Sequence, residues 1–575
     1  MRSFKNTASL GALALALVST PSLADTSVTK DTTSALSTSS ASNVTVGENG
    51  TIALASGSGI TIDSDSTVTM GGTLEMGGAS NTSGITVNSG TTSSLDIGED
   101  GVITVLEDYV VDDEDSDGIV TDNIASASNR YGVHVTGDAA GTILNEGSIT
   151  VEGQNSGGIV LDGDWTGSIT NIGTIKVIGD NAVGISAQGI DGDLTVEGTV
   201  SVVGSGSSGI NVVSDVSGTV TIQGTVTKGY SYTDDDGTTE VLSRAALRTG
   251  TAAVSITGNV DGGIYVAAAP IDRDDDNDDE DGDGVDDSDE ATGVITTYGN
   301  GPAIQVGGTS DITVGSVTGN MGTYSIVIDG SVTANSYYSN TDAYGLVIGG
   351  EGGNVTLTDG IGVSGTLSAI SYDQSATALL INEGSTVTNL YNSGTISASL
   401  TSSGEGSTTA IRDLSGTLTS IENTGFITAG GSSTDTRTAI DLSANTTGVT
   451  ITQYLNDDDA ETSAEYVEDN DEEDPSIYAQ ISGNILLGSG NDSLSASTGQ
   501  IIGDTYFGAG DDTLALSEDA LYSGDIYFGS GTATATLSGE SSYSGTMDFA
   551  GEVAPSPSTT PPRTRASSPM RTTSR

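Results

Sequence analysis

The chain has no cysteine and few basic residues. Its 575 residues include 15 Lys and Arg against 78 Asp and Glu, giving a formal net charge of −63 at pH 7. This charge argues strongly against nucleic acid or an anionic membrane surface as a partner and makes divalent cations the natural counter-ions. Without cysteine no disulfide bond can form, so the fold has to be stabilised by packing alone.

Histidine and tryptophan occur once each, which leaves few candidates for catalysis. His134 lies in the strand-like phrase YGVHV, and a strand residue is favoured over one member of a Ser-His-Asp arrangement. Trp165 is the sole tryptophan and a poor platform for a sugar ring. We predict that the chain is not an enzyme. A β-helical polysaccharide-cleaving enzyme remains an alternative. Inward or groove-facing Asp side chains on three adjacent coils, together with an Arg, would support it, and a groove lined by Ser and Thr would argue against it.

Long apolar runs are also missing, with one short exception at the start of the chain. Ala8–Val18 is apolar, follows Arg2 and Lys5, and precedes the small-x-small sequence Ser22–Ala24. This pattern predicts a Sec signal peptide over residues 1–24 and therefore an exported protein. The apolar run is too short to span a bilayer and no later run approaches about 18 residues, so no transmembrane segment is predicted.

The chain does contain an internal repeat with a near-constant period. Two sets of glycines recur at this period, first Gly132, Gly158, Gly184 and Gly209, and then Gly147, Gly173, Gly198 and Gly224. Each repeat contains three short segments of alternating β-branched residues that end in glycine or aspartate, which is typical of strands and turns. The pattern predicts an all-β fold, a right-handed parallel β-helix of about 20 coils, with the most regular coils at 129–228.

Asparagine recurs in the phrase N-x-G-x-I. Asn145 and Asn171 follow an inward apolar position by two residues, and Asn392 and Asn423 occur in the same phrase. Residues two apart on a strand face the same way. We therefore expect Asn145 to stack on Asn171, and Asn392 near Asn423, with amides hydrogen-bonded along the axis. Ordinary Asn-x-Gly turns are the alternative.

The carboxylates are concentrated in four segments, at about 107–117, 230–240, 271–290 and 456–474. Like charges at this density would repel in stacked strands, so the segments are interpreted as solvated loops inserted between coils. Insertions on a solenoid are frequent binding positions.

The third acidic segment contains a calcium-loop pattern. Asp279, Asp281 and Asp283 alternate before Gly284, and Glu290 follows at the position of a closing carboxylate. Oxygen ligands at this spacing predict Ca²⁺ binding. Asp286 stands where an EF-hand loop has an apolar residue, and Val285 followed by Asp287 resembles the short aspartate repeats of thrombospondin type 3. A merely solvated loop is the other interpretation, and Asp287 is a further candidate ligand.

A second candidate calcium site lies in residues 483–538. The phrases GSGNDSL and GAGDDTL begin at Gly488 and Gly508, 20 residues apart, and include Asp492 and Asp512. Both resemble half of the RTX nonapeptide, in which aspartates and glycine carbonyls bind calcium between stacked turns. The third copy has Ala533 in the equivalent position, and the interval is not that of a nonapeptide, so structural turns are the favoured interpretation.

The signal peptide, the Gly-, Ser- and Thr-rich coils and the phrases NEGSIT, NIGTIK, NSGTIS and NTGFIT resemble the passenger region of monomeric (type V) autotransporters of Gram-negative bacteria, including those of alphaproteobacterial type. The likeness covers roughly residues 25–550. It implies a β-helix exposed at the cell surface or secreted, with an adhesive or structural role toward a surface ligand or a host or matrix component. An S-layer-like structural protein stabilised by calcium is an alternative.

The last residues depart from that family. Residues 551–575 contain five of the nine prolines and four arginines, and no barrel strands follow Glu552. The segment is interpreted as translation out of frame, with a natural Pro-, Ser- and Thr-rich tail as the alternative. Loss of the outer-membrane barrel would leave the product in the periplasm.

Overall fold

The computed structural model describes residues 24–109, 111, 117–233, 237–269, 290–320, 322–402, 406–431, 436–455 and 479–549. Over these ranges the chain winds as a solenoid in which every coil passes through three faces. Each strand of these three faces pairs in parallel with the equivalent strand of the next coil. This confirms the predicted parallel β-helix. The described residues include one 3-10 turn, Thr38–Ser40, and no helix long and apolar enough to cross a membrane.

The first and second faces together form a 34-stranded sheet. They are continuous because two long strands, Gly157–Thr166 and Val183–Asp191, run across the corner between them. The strands that begin on the first face are Leu36–Ser37, Ser58–Ile62, Thr82–Val87, Arg130–Val135, Gly157–Thr166, Val183–Asp191, Ser208–Val212, Val254–Ile256, Ile304–Val306, Ala343–Ile348, Ala376–Ile381, Ser407–Asp413, Thr436–Asp441, Asn484–Leu486, Thr505–Tyr506, Ile526–Tyr527 and Met547–Asp548. Those of the second face are Thr26–Val28, Val44–Val46, Ser66–Met70, Thr92–Ile97, Ala139–Asn145, Ile169–Asn171, Leu194–Val196, Val220–Ile222, Ile264–Val266, Ile326–Ile328, Ile361–Val363, Asn389–Asn392, Ser420–Asn423, Thr450–Gln453, Ser493–Ala496, Thr513–Leu516 and Thr534–Leu537.

The third face is a separate 16-stranded sheet with one strand per coil. At about 4.8 Å per coil these strands span roughly 70 Å. Many coils are longer than the basic repeat because of insertions at the corners. The strands are Thr51–Leu54, Thr73–Met76, Val102–Val105, Ser148–Glu152, Thr174–Ile178, Thr199–Val203, Thr225–Gly229, Val294–Tyr298, Ser331–Asn335, Thr366–Ser371, Thr395–Leu400, Phe426–Ala429, Gln480–Ser482, Gln500–Ile502, Leu521–Ser523 and Ser542–Ser544.

The core consists of aliphatic columns that run along the axis. On the third face, Ile103 pairs with Ile149, Ile149 with Ile175, and Ile175 with Val200. All four side chains are fully buried. Burial of each such side chain contributes about 1.5–3 kcal/mol, so the stack of identical contacts replaces the disulfide bonds that the chain lacks.

The repeated glycines are required by two different close approaches. A Cβ atom on Gly132 would lie 2.2 Å from the Ile149 side chain, which reaches across the narrow interior from the third face. On Gly173, at the corner between the second and third faces, it would lie 2.0 Å from the Gly147 carbonyl oxygen one coil earlier. The first set of glycines therefore makes room for aliphatic side chains, and the second allows successive corners to stack.

The expected asparagine pairs are present and buried. The Asn145 amide donates to the Asn171 side-chain oxygen at 2.7 Å, and Asn392 donates to Asn423 at 2.8 Å. The second ladder continues because Asn423 donates to Gln453 at 3.1 Å. These contacts confirm the ladder interpretation over isolated turns.

Three smaller groups of strands lie outside the main sheets. A three-stranded sheet at one corner combines Ile119–Val120 with the hairpin Ser231–Thr233 and Thr239–Leu242. A second three-stranded sheet lies between the first and second faces, and a two-stranded hairpin follows it. Their strands are Ile312–Val314, Val355–Leu357 and Ser385–Thr386 for the sheet, and Val317–Gly319 and Gly322–Tyr324 for the hairpin.

Candidate functional site

Most of the first predicted calcium loop lies outside the described residues: Asp279, Asp281, Asp283 and Asp287 belong to the segment 270–289. Glu290 is described, and its carboxylate accepts a hydrogen bond from the Gln223 amide. Calcium ligation by this loop stays a prediction.

Asp492 and Asp512 lie one coil apart just before the second-face strands Ser493–Ala496 and Thr513–Leu516. Both are almost fully buried. The Oδ1 atom of Asp492 accepts the backbone N–H of Val449 at 2.8 Å, and that of Asp512 accepts the N–H of Asp492 at 3.0 Å. Each carboxylate thus bonds the backbone of the preceding coil.

The second oxygen of each carboxylate, Oδ2, is buried without a hydrogen-bond partner among the described residues. Burial raises the pKa of Asp492 to about 6, with a further contribution from the Asp512 charge, while the Val449 N–H opposes the shift. Burial also raises the pKa of Asp512. The Asp492 N–H opposes this shift, and the Asp511 charge adds to it. Such oxygens need a proton or a cation. Over the described ranges, no three His, Cys, Asp or Glu side chains form a metal-binding group.

Stacking explains the glycines of these turns without calcium. A Cβ on Gly508 would lie 1.8 Å from the Gly488 carbonyl oxygen, and one on Gly510 would lie 1.9 Å from that of Gly490. The sequence G-x-G is thus required at these turns because their corners are in direct contact. The structure explains Asp492 and Asp512 by their bonds to the backbone of the preceding coil. Calcium binding by these two residues remains a prediction.

Two acidic insertions that are far apart in sequence meet at one corner of the rod. Val120 from the first insertion and Tyr232, Leu242 and Leu247 from the second are buried together against the rod. The described residues that flank the two acidic runs are thus packed against the rod, and the solvated acidic loops stay a prediction. Residues 112–116 and 234–236 are outside the described ranges.

Arg130 and Glu107 attach the first of these insertions. The buried Arg130 guanidinium donates to the carbonyl oxygens of Gly77 at 2.9 Å and Leu106 at 2.7 Å, and also to that of Glu152. Burial lowers the pKa of Arg130, and the charges of Glu107 and Glu152 oppose that shift. The Glu107 carboxylate accepts bonds of 2.7–2.8 Å from residues 126 and 127. Neither Arg130 nor Glu107 stood out in the sequence, because no motif relates them.

His134 is paired on the surface of the first face. Its Nε2 atom lies 2.7 Å from an Asp162 carboxylate oxygen, and its ring stacks on Tyr131 with centroids 4.2 Å apart. The neighbours in the same outward column are Thr86 and Val160. His134 lies within the strand Arg130–Val135, as predicted. Trp165 is fully buried.

A groove crosses three coils of the first face, with a volume of about 560 Å³. Its floor is a column of outward side chains, Asn211, Ser255 and Gln305, on consecutive strands. One wall comes from the corner before these strands and the other from the corner after them; the wall residues include Gly206, Gly250, Thr251, Gly307, Thr309 and Glu351. We name this feature the amide groove.

The floor has unused hydrogen-bonding capacity. The Asn211 amide and the Ser255 hydroxyl are half-buried and have no side-chain hydrogen bond within the described part of the chain. The Gln305 amide donates to the Gly349 carbonyl at 3.0 Å, which leaves its oxygen available. The buried Lys228 ammonium holds the wall by donating to the Thr251 carbonyl, and burial lowers the pKa of Lys228 to about 8. The groove forms because the loops at these corners differ in length from coil to coil. No sequence motif therefore marks it.

Searches against protein-family models, curated proteins and solved structures found no match for this chain.

Proposed function

We propose that the chain is an exported rod, surface-exposed or secreted, with an adhesive or structural role like that of an autotransporter passenger. The observation that carries the proposal is the uninterrupted stack of 16 third-face strands, with the insertions placed at corners. This architecture presents loops and grooves along a long, stiff support, which suits binding to another surface. The apolar run Ala8–Val18 supports export.

Export is tested by producing the full chain in a Gram-negative host and fractionating the cells. We expect the product outside the cytoplasm, with a new N-terminus near Asp25, and we expect protease added to intact cells to cleave it if it is displayed. A product that keeps residues 1–24 and stays in the cytoplasm would overturn the proposal. A processed product that is protected from protease until the outer membrane is opened would place it in the periplasm.

A calcium-stabilised S-layer-like protein is the second candidate. The observation in its favour is a column of half-buried carboxylates near the end of the rod. Asp504 accepts the N–H of Asp525 at 2.8 Å, and Asp525 accepts that of Thr546 at 2.8 Å. Stacked carboxylates of this kind suit bridging by divalent cations between rods. Ordered two-dimensional arrays that form from the purified protein only with calcium would favour this candidate.

A polysaccharide-cleaving function is not proposed. Among the described residues lining the amide groove, the one acidic side chain is Glu351 and there is no Arg. Hydrolysis by paired carboxylic acids needs two such groups on either side of the scissile bond. The amide groove therefore offers recognition without this chemistry.

A further inference from the structure

We propose that the amide groove binds a neutral, hydroxyl-rich glycan chain. This inference rests on the binding role proposed above and adds the ligand class and its position. Asn211, Ser255 and Gln305 point from three consecutive strands into one groove. At about 4.8 Å per coil the floor extends about 10 Å along the axis, which is the length of two linked sugar rings.

The chemistry of the floor matches hydroxyl groups. An amide side chain offers both donors and acceptors, and a serine hydroxyl offers one donor and two lone pairs. Asn211 and Ser255 have no side-chain hydrogen bond in the described structure. The Gln305 amide nitrogen donates to the carbonyls of Gly349 at 3.0 Å and Val306 at 3.5 Å, which leaves its oxygen for a ligand. A half-buried polar group without a partner loses little on exchanging water for ligand hydroxyls, so this column favours a partner with many hydroxyls.

The walls permit close approach of a bulky ring. Gly206 and Gly250 contribute to one wall, and Gly307 and Gly308 to the other, and none of them carries a side chain that would narrow the groove. Thr251 is held in place by Lys228, so the wall is fixed before a ligand arrives. A preformed site with few mobile side chains lowers the entropic cost of binding.

The net charge and the backbone pairing argue against anionic polysaccharides, cationic polymers and peptides as ligands. The net charge of −63 repels anionic polysaccharides, and the amide groove lacks the cluster of carboxylates that a cationic polymer needs. A peptide could not add as a strand here, because the backbone groups of the floor strands already pair between coils. Neutral sugar hydroxyls remain the chemistry that the groove fits.

The experiment uses the purified mature chain and measures binding by isothermal titration calorimetry. The probes are neutral hexasaccharides of glucose, mannose and xylose in different linkages, an alginate hexamer as the anionic comparison, and hexalysine as the cationic one. Two groove variants, Ser255→Val and Asn211→Leu/Gln305→Leu, are compared with Thr61→Val. Thr61 is an outward residue of the same face outside the groove.

We expect at least one neutral hexasaccharide to bind. We expect the double variant to weaken that binding at least tenfold, Ser255→Val to weaken it several-fold, and Thr61→Val to leave it unchanged. Circular dichroism and thermal melting establish that each variant is folded. Binding of none of the neutral probes, binding only of alginate or hexalysine, or equal binding by folded groove variants would overturn the inference.

Failure of this inference and failure of the proposed function are distinguishable. Cell fractionation does not depend on glycan binding, so a displayed chain that binds no neutral hexasaccharide refutes the ligand class alone. A chain that binds the hexasaccharide in solution and is retained in the cytoplasm refutes the export proposal alone.

Discussion

The Oδ1 atom of Asp512 accepts a 3.0 Å hydrogen bond from the backbone N–H of Asp492 one coil earlier. Asp492 does the same for Val449 at 2.8 Å. In each case one carboxylate oxygen secures the contact between coils, and the other is buried without a partner among the described residues. These two aspartates therefore stabilise the stack when their second oxygen is protonated or bound to a cation, and they weaken it when that oxygen is bare.

The first prediction concerns pH. The pKa of Asp492 is raised to about 6 in the folded chain from an unfolded value near 4. Its contribution to stability is thus fully present below about pH 4 and is lost as the pH rises through about 6. Asp492→Asn should therefore raise the free energy of unfolding at pH 7 by about 2 kcal/mol relative to its effect at pH 4, because each unit of pKa shift corresponds to about 1.4 kcal/mol.

This is measured by hydrogen exchange or thermal melting of the last coils at several pH values. The matched control is Asp511→Asn, because exposed Asp511 makes the same kind of bond, 2.8 Å to the N–H of Thr532. If the free energy of unfolding differs between Asp492→Asn and the unmodified chain by the same amount at pH 4 and pH 7, the raised pKa is not that of Asp492.

Calcium is the second prediction. If Ca²⁺ binds the free oxygens of Asp492 and Asp512, then millimolar calcium at pH 7 should raise the melting temperature, because a ligand that binds only the folded state stabilises it. Asp492→Asn/Asp512→Asn should lose that increase. An unchanged melting curve in millimolar calcium would remove the metal hypothesis, and an increase that the double variant retains would move the site elsewhere, with the segment 271–290 as the next candidate.

The third prediction concerns the amide ladder. Asn171→Val removes the acceptor of the 2.7 Å bond from Asn145 and should cost about 1–3 kcal/mol, because a buried donor is left unpaired. Asn145→Val/Asn171→Val should recover most of that loss. The same column has Ile97 before Asn145 and Val196 after Asn171, so an aliphatic pair fits it. Denaturant unfolding of the two variants provides the test, and a double variant less stable than the single one would be evidence against it.

The fourth prediction concerns corner stacking. Gly173→Ala would place Cβ 2.0 Å from the Gly147 carbonyl oxygen, and the displacement should destabilise the chain by about 1–3 kcal/mol or more. Gly47→Ala is the control, because its nearest atom is 3.7 Å away. Urea melts of both variants should separate them clearly, and equal midpoints would show that the corner adjusts freely.

The fifth prediction concerns Arg130. Arg130→Met removes the bonds to Gly77 and Leu106 and the positive charge near Glu107. We expect a loss of about 1–3 kcal/mol or more, because buried carbonyl oxygens are left without their hydrogen-bond donor. Limited proteolysis should cut near residues 107–126 sooner than in the parent chain. Lys176→Met, at an exposed third-face position, should not change the cleavage rate.

The sequence predicts the coils well because their contacts repeat. Asn145 and Asn171 have the same spacing to the neighbouring glycines, so one register fixes both positions. Gln453 continues the second ladder below Asn423, and it was not predicted because it lacks the Asn-x-Gly phrase. A ladder requires only a side-chain amide in the right column, which a motif does not express.

The insertions and the amide groove were harder to predict for a physical reason. Their structure depends on corner loops whose lengths differ from coil to coil, and pairing of Ile119–Val120 with Thr239–Leu242 joins positions with no common spacing. Charge density indicated where the insertions lie, but it did not indicate that Tyr232 and Leu242 are buried. The sequence shows that apolar residues occur among the acidic ones, but only the three-dimensional structure shows that they pack together.

The lateral pairing of Ile119–Val120 with Val241 and Leu242 has a mechanical consequence. The regular coils 129–228 lie between these two insertions in the chain, and the insertions rest on Ile178 and Val203 of that stretch. A tensile load along the rod is therefore shared between the coil-to-coil ladder and this external brace. Unwinding of the middle coils has to separate the brace as well, which adds resistance to force in this part of the rod.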